Sequence, residues 1–214
     1  MSPAARRWTT SLSPKNILVV GCGSGEESAT LARFFGAAVI GIDLLDRFDH
    51  EAAKHARLEV ADATDIPFGE GSFDFVYSYH ALEHISDFRK ALAEIRRVLT
   101  GSGSWCIGTP NRERLIGYLG SKDATWREKV AWNVADWKMK INGKFRNECG
   151  AHAGFSSAEL ASELCGVFGY ADNITLPYYR AIYPRHTGMV RLFDSTGASR
   201  FVFPSVYFAG TVGV

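Results

Sequence analysis

The chain has 214 residues, of which 46% are hydrophobic and 22% are charged, and its formal net charge is +1. This composition is typical of one soluble globular domain, and a net charge near zero excludes a strong bulk attraction to nucleic acid or to anionic lipid. Four scattered cysteines without a C-x-x-C pair, and the absence of any run of about 18 apolar residues, predict a cytoplasmic protein without a zinc ribbon or a membrane span.

The first predicted element is a strand at residues 17–20 that runs into a glycine-rich turn. Four apolar residues suit a buried parallel strand, and Gly21, Gly23 and Gly25 follow before a helix begins. Glycines let the backbone approach a ligand closely, and the first turn of a helix offers free N–H groups. A dinucleotide site needs a small residue at the sixth position of G-x-G-x-x-G/A, where this chain has Glu26. The turn therefore favours a ligand that combines an amino acid with a nucleoside, as S-adenosylmethionine does.

Strands and helices then alternate. A helix closed by Gly36 precedes the second strand, and a helix that begins at Ser86 and Asp87 precedes the fifth; the predicted strands lie at residues 38–42, 58–60, 73–77 and 104–108. This alternation predicts an α/β fold with a parallel sheet, helices on both faces, and ligands at the carboxyl ends of the strands.

Beyond Pro110 the alternation stops for about forty residues, which predicts a helical insertion at residues 112–150. A capping box of Ser156 and Glu159 then begins another helix. The candidate last strands are residues 174–182 and 201–208, with a helix or a long loop between them.

Five blocks of residues, in order along the chain, resemble the class I S-adenosylmethionine-dependent methyltransferases. They are the glycine turn, Asp43, and the segments 61–68, 73–84 and 91–111. The sequence is most similar to the small-molecule, type 11 branch of that family. The resemblance implies a single domain over residues 1–214 with a Rossmann-like, seven-stranded, mostly parallel sheet, an antiparallel last strand, and the insertion after strand five as a helical segment or lid. It also implies S-adenosylmethionine as the cofactor and S-adenosylhomocysteine as the product.

The resemblance assigns cofactor roles to residues at the strand ends. The glycine loop would wrap the methionine part, and Asp43, at a strand end, is placed to accept hydrogen bonds from both ribose hydroxyls. Asp62 would meet the adenine amine, while Leu44 and Ile66 would enclose the ring. The family commonly has an acidic residue at the position of Val19, so the cofactor's amino group needs another partner, such as a backbone carbonyl or a water. The complete set of cofactor residues is Gly21, Cys22, Gly23, Ser24, Gly25, Asp43, Leu44, Asp62, Ala63, Thr64, Ser78 and Tyr79.

Two histidines follow the fourth strand and are the candidate catalytic residues. Methyl transfer from a sulfonium is an in-line displacement, so the protein must align donor and acceptor and remove a proton where needed, and no metal is expected. His84 is the candidate general base on a hydroxyl acceptor, with His80 one helical turn away. The alternative is that His84 caps the following helix. His152, which follows Cys149 at C-x-x-H spacing without a second half, would instead face the acceptor pocket from the far side.

The insertion is where acceptor choice is expected to reside. At helical spacing it has an apolar stripe, formed by Trp126, Val130, Val134, Trp137 and Ile141, together with many basic residues. Three interpretations stay open: a helix packed over the sheet, a lid over a hydrophobic or anionic acceptor, and a helix in weak contact with a membrane through residues 122–146. The oligomeric state is open as well.

The leading hypothesis is a methyltransferase that acts on a small-molecule acceptor, at oxygen. A nucleic-acid methyltransferase is an alternative, but the D/N-P-P-Y/F/W signature of base-amine methylation is missing after the fourth strand, and the charge argues against nucleic acid as a partner. A non-catalytic S-adenosylmethionine-binding module is a second alternative. Glu26 disfavours a nicotinamide oxidoreductase.

Overall fold

A computed structural model describes residues 13–118, 124–147 and 152–213 of the chain. The strands are β1 Asn16–Val20, β2 Ala38–Asp43, β3 Arg57–Val60, β4 Phe73–Tyr79, β5 Leu99–Pro110, β6 Asp172–Asn173 and β7 Ser205–Thr211. The α-helices are α1 Glu26–Phe35, α2 Phe88–Val98, α3 Trp126–Ile141, α4 Ser157–Phe168, α5 Thr175–Ile182, α6 Thr187–Ser195 and α7 Ser199–Val202. Short 3₁₀ turns lie at Ala52–Lys54, Leu82–His84 and Pro184–His186.

All seven strands form one sheet in the order β3-β2-β1-β4-β5-β7-β6. The first five pair in parallel, whereas β7 runs antiparallel to both β5 and β6. This architecture confirms the predicted fold class. The strand order reverses between β1 and β4, and the crevice at such a switch point is where open α/β sheets bind their ligands.

Apolar side chains fill both faces of the sheet. On one face Leu18 and Val76 pack with residues of α2 and α4, and on the other Ile17 and Phe75 pack with residues of α1 and α5. Strands buried on both faces need apolar residues at successive positions, which explains the unbroken run at residues 17–20.

The end of the chain differs from the prediction. Residues 174–182, predicted as a strand, form the helix α5, and the predicted strand 201–208 begins with α7 and becomes β7 only at Ser205. Helical spacing lets Tyr178 stack on Tyr207 and Tyr179 stack on Phe203, with ring centroids 3.6 and 4.1 Å apart. A short aromatic run fits either a strand or a helix by pattern, and here packing against β7 selects the helix.

The helix α3 of the insertion begins at a capping box formed by Thr125 and Glu128. It buries polar residues, Asn133 and Asp136, and leaves its apolar stripe exposed: Ile141 is 85% accessible. Within the described ranges no helix is both long and apolar enough to cross a membrane. Residues 119–123 and 148–151, including Lys122, Asp123 and Cys149, lie outside the described residues.

Candidate cofactor and methyl-transfer site

Two cavities meet at the carboxyl ends of β1, β2 and β4, and both include Gly21 in their walls. The large cavity has a volume of about 710 Å³; the predicted residues in its wall are Gly21, Asp43, Leu44, Asp62, Ala63, Thr64, His80 and His84. The small cavity has a volume of about 270 Å³ and is lined by Val19, Gly21, Cys22, Gly23, Ser24, Glu26, Glu27, Tyr77 and Tyr79. Most of the predicted site residues therefore come together around one edge of the sheet.

The glycine loop has the backbone that its sequence predicts. Gly21 and Gly25 have φ of 71° and 88°, a region that side chains rarely adopt. A Cβ at Gly21 would lie 2.2 Å from the Cβ of Ala81, and one at Gly25 would lie 2.4 Å from the side chain of Leu58. The loop thus requires glycine at both positions, although Gly25 itself lies beneath the cavities and lines neither.

Asp43 ties the glycine loop to the end of β2. One carboxylate oxygen accepts a hydrogen bond from the Gly23 N–H at 2.9 Å, and the other accepts one from the Leu45 N–H at 3.1 Å. Each oxygen retains a further lone-pair direction, because an ionised carboxylate has about four acceptor sites. The carboxylate can therefore hold the loop and still accept hydrogen bonds from a ligand in the large cavity.

The segment after β3 forms the far wall of the large cavity. Asp62 accepts a hydrogen bond from the Thr64 N–H at 2.8 Å, and that bond holds the pKa of the carboxyl below its usual value. Leu44 is 63% accessible and lines the cavity. Ile66, predicted to enclose an adenine ring, is instead buried in the core, and Ile85 lines the cavity.

Two further predicted residues occupy other environments than expected. Ser78 is fully buried in β4 between Val20 of β1 and Ile107 of β5, so its side chain reaches neither cavity. The Cys22 thiol lines the small cavity, but burial, and secondarily the charge of Asp43, raises its pKa to about 12. Cys22 therefore stays a protonated thiol at neutral pH and offers no nucleophile.

His80 is held by backbone and side-chain contacts. Its φ of 53° is unusual for a residue other than glycine, and such strain is concentrated at functional sites. Its ring stacks on Tyr79 with centroids 4.0 Å apart, and its Nε2 lies 3.0 Å from the Ser205 hydroxyl. Burial, followed by the charge of Arg114, lowers the pKa of the imidazole to about 3. His80 is therefore neutral at physiological pH and a weak base.

His84 occupies a more accessible position. Its side chain is 54% exposed and lines the large cavity. Burial and the neighbouring His152 lower its pKa, so the imidazole is unprotonated at neutral pH and able to accept a proton. The N-cap of α2 is Asp87, whose carboxylate accepts the Lys90 N–H at 3.0 Å. The alternative of His84 as the cap of that helix is therefore wrong.

Comparison with known proteins identifies the family. Residues 18–107 match the "Methyltransferase domain" family model. The O-methyltransferase cnsE of Penicillium expansum is 40% identical over 94 residues, which are 40% of this chain and 34% of that protein. These matches confirm the resemblance of residues 18–107 to the class I S-adenosylmethionine-dependent methyltransferases. S-adenosylmethionine is the cofactor of this family.

Other matches extend over more of the chain. The ajmaline N-methyltransferase of Rauvolfia serpentina is 28% identical over 220 residues, covering 83% of this chain and 74% of that protein. A phosphoethanolamine N-methyltransferase 2 of Haemonchus contortus, solved with S-adenosylmethionine, has a TM-score of 0.60 at 17% identity over 99% of this chain and 51% of that one, which shows a shared fold. The chain spans only about a third of the length of the curated O-methyltransferases it matches.

Val19 remains the departure from the family pattern. It is buried in the small cavity wall, where a carboxylate is common in this family. Glu27, in the first turn of α1, lines the same cavity and brings a carboxylate to it from the other side of the glycine loop. This residue was not among the sequence candidates, since a glutamate early in a helix is ordinarily a favourable partner of the helix dipole.

Arg114 is a second residue that the sequence analysis missed. Its side chain is 4% exposed and makes a 3.0 Å ion pair with Asp136 of α3. The same guanidinium donates to the backbone carbonyls of His152 and Ala153 at 3.0 and 3.4 Å. Arg114 thus connects the insertion helix to the loop that brings His152 against His84, where the two ring centroids are 4.7 Å apart. That His152 faces the acceptor pocket from the far side stays a prediction: His152 contacts the ring of His84, which lines the large cavity, but does not itself line that cavity.

Proposed function

We propose that the protein transfers the methyl group of S-adenosylmethionine to an oxygen of a small-molecule acceptor. The observation that carries the proposal is the convergence, in one cavity, of the glycine loop, two strand-end carboxylates and an unprotonated histidine. Relatives named as O- and N-methyltransferases leave the acceptor atom open. Oxygen is favoured because a hydroxyl has to lose its proton on methylation, and His84 offers a base for it.

The cofactor roles follow from the walls of the two cavities. Asp43 accepts the ribose hydroxyls, and Asp62 accepts the adenine amine while the backbone of Ala63 and Thr64 meets the ring edge. Leu44 and Ile85 supply apolar contacts to the faces of the ring. The methionine part then lies along Gly21 and into the small cavity, where Gly23, Ser24 and Tyr79 line the wall.

Because position 19 is a valine, the carboxylate that binds the cofactor's α-amino group is that of Glu27. Glu27→Gln should then weaken S-adenosylmethionine about tenfold or more, since a charge-assisted hydrogen bond contributes about 1.5–3 kcal/mol. Methylthioadenosine lacks the amino acid part of the cofactor, including its α-amino group, and serves as the control ligand, whose affinity should be unchanged in the variant. Equal losses for both ligands would contradict this role for Glu27.

The two histidines have different roles. His84, at the cavity wall and accessible, accepts the acceptor's proton. His80 stays neutral and has a structural role. Its contacts with the Ser205 hydroxyl and the Tyr79 ring hold the backbone between β4 and the 3₁₀ turn that contains His84. The helix α3 serves as a lid that is tied to this site by Arg114, and the exposed apolar stripe on α3 suits an apolar acceptor or a membrane surface that contains one.

We propose a reducing compartment, the cytoplasm, as the location of the protein. Among the described residues Cys22 and Cys106 are buried free thiols and Cys165 is an exposed one. Exposed free thiols persist where glutathione and thioredoxin keep them reduced.

Calorimetric titration with S-adenosylmethionine, with NAD as the control ligand, tests the first step. Binding of the former alone is expected, and Asp43→Asn should weaken it about tenfold. Turnover is then sought with crude metabolite extract as the acceptor source, with inhibition by S-adenosylhomocysteine as the mark of true methyl transfer.

A second candidate function is a module that binds S-adenosylmethionine without turning it over, and the valine at position 19 is the observation that favours it. Tight binding with no methylated product from any extract would support this candidate. Methylated product that requires His84 would exclude it.

A further inference from the structure

Glu83, His84 and His152 form a cluster, of which His84 lines the large cavity. A carboxylate oxygen of Glu83 and one ring nitrogen from each histidine all lie within 4.8 Å of one another. The Glu83 Oε1 and the His84 Nε2 are 3.9 Å apart. The sequence offered no third ligand near His84, because His152 lies beyond β5 and the insertion and reaches the cluster only through the fold.

Glu83 is the most unusual member of the cluster. Its side chain is 1% exposed, and neither carboxylate oxygen accepts a hydrogen bond within the described part of the chain. Burial of a carboxylate without partners is costly, and such a group in a folded protein calls for a water or an ion that satisfies it. Arg114 is near, but it directs its N–H groups to Asp136 and to backbone carbonyls.

The loop of His152 is held in place by its backbone. Arg114 donates to the His152 carbonyl at 3.0 Å, and the Gly154 N–H donates to the Asn147 side chain at 2.8 Å. These contacts fix the backbone of the loop, while the imidazole is exposed and packs edge-on against the His84 ring, with centroids 4.7 Å apart.

We propose that Glu83, His84 and His152 bind one divalent transition-metal ion of the Zn²⁺ or Co²⁺ class. Two imidazoles and one carboxylate are ligands that these ions accept, and three protein ligands leave a coordination position open. Tetrahedral zinc with bonds of about 2.1 Å holds neighbouring ligand atoms roughly 3.4 Å apart, so the cluster needs to contract by about 1 Å. Rotation of the two exposed imidazoles provides that contraction.

The site adds to the proposed function and, for its use, rests on it. With an ion bound, His84 would become a ligand, and an acceptor oxygen in the large cavity that His84 lines could occupy the open position. A divalent ion lowers the pKa of a hydroxyl that it binds. The acidified hydroxyl would then release its proton to solvent water, and the His84 imidazole would no longer be needed as the proton acceptor.

Titration of the full chain, stripped of metal with a chelator, with Co²⁺ alone tests the site without cofactor or acceptor. The visible absorption of Co²⁺ reports its coordination, and the expected result is saturation at one equivalent. His152→Ala and Glu83→Gln should each weaken binding at least tenfold, since even outer-shell contacts contribute about 10–100-fold to metal affinity. His50→Ala is the matched control: His50 and Glu51 are also 3.9 Å apart and exposed, and they belong to no three-ligand cluster among the described residues.

No saturable Co²⁺ signal in the unmodified protein would overturn the proposal. An equal Co²⁺ affinity in His152→Ala would overturn it as well, because the ion would then be bound elsewhere. His152→Ala removes an exposed side chain whose backbone contacts remain, so it should fold normally. Since the assay contains no S-adenosylmethionine, its failure leaves the methyl-transfer proposal intact, and a failure to bind S-adenosylmethionine leaves the metal site intact.

Discussion

The cofactor region, residues 16–87, and the insertion, residues 112–150, differ in what holds them. In the cofactor region Ile17, Leu18 and Val76 are almost fully buried, and Asp43 and Asp62 lie at strand ends, facing the large cavity. Among the described residues of the insertion, Asp136 is buried as well as Phe145, while Ile141 is 85% exposed. Apolar burial therefore dominates the first region, whereas directional polar contacts contribute much of the attachment of helix α3 in the second.

The difference matters for how each region responds to change. An apolar core tolerates a small loss because many contacts remain, whereas a buried ion pair that loses one partner leaves an uncompensated charge. The helix α3 is attached by the Arg114–Asp136 pair, the Asn133 amide on Gly117, and the Trp137 indole on the Leu115 carbonyl. Because these polar contacts hold the helix in place, we expect that a single substitution in one of them can detach it from the rest of the domain.

Arg114→Ala should have the largest effect on stability. Removal of the guanidinium leaves Asp136 unpaired and frees the carbonyls of His152 and Ala153, and loss of one partner of a buried pair costs about 3–5 kcal/mol. Denaturant unfolding measures the loss, and S-adenosylmethionine titration tests whether the cofactor region is independent. A large loss of stability with unchanged cofactor affinity supports the division into two regions.

The double variant Arg114→Met with Asp136→Leu is the control for Arg114→Ala. It removes both charges and should regain most of the lost stability, because apolar replacement of a buried pair is often neutral or stabilising. If the single and double variants were equally unstable, the backbone carbonyls rather than the ion pair would hold the insertion.

His80 should give the cofactor region an acid-sensitive stability. Its pKa is about 3 in the folded protein and 6.5 as an unperturbed group, so between these values the unfolded chain binds more protons than the folded one. Stability contributed by the neutral imidazole is complete above pH 6.5 and is lost progressively as the pH falls toward 3, by roughly 3 kcal/mol at pH 4.

His80→Asn tests this pH dependence, because asparagine tolerates a positive φ and has no group that titrates in this range. The variant should lose the acid-dependent slope between pH 4 and 6.5 in unfolding free energies measured across that range. An unchanged slope would assign the acid sensitivity to other groups.

Gly21→Ala should destabilise the cofactor region by about 1–3 kcal/mol, through strain at positive φ and contact with Ala81. Because the loop must move away from Ala81, S-adenosylmethionine affinity should fall as well. Gly36→Ala is the matched control: its φ is 62°, and nothing lies within 4 Å of the added Cβ. The control should lose only the free energy of unfolding that a side chain at positive φ costs. Its S-adenosylmethionine affinity, measured by titration, should be unchanged.

These contrasts show which parts of the structure a sequence can reveal. The glycine loop and Asp43 were predictable because positive φ and a strand-end carboxylate are local requirements, expressed within a few residues. The pairing of Arg114 with Asp136 and the meeting of His84 with His152 depend on how distant segments pack, and nothing near those residues indicates them. The strand predicted at residues 174–182 failed for the same reason, since contact with β7 decides between strand and helix there.

The stripe on α3 is an intermediate case and gives the smallest expected effect. The insertion was expected to be helical, and residues 126–141 form a helix, but the period of the stripe does not reveal whether its apolar face meets the core, an acceptor or solvent. Ile141→Ser should change the unfolding free energy by less than about 0.5 kcal/mol, as substitutions at exposed sites do. Phe145→Ser, at a residue only 6% exposed in the same insertion, is the buried control and should lower the free energy of unfolding by about 3 kcal/mol or more.

If Ile141→Ser proved as destabilising as Phe145→Ser, the stripe would be part of a core after all. If it lowered turnover of an identified acceptor without changing stability, the stripe would be the surface that the acceptor meets.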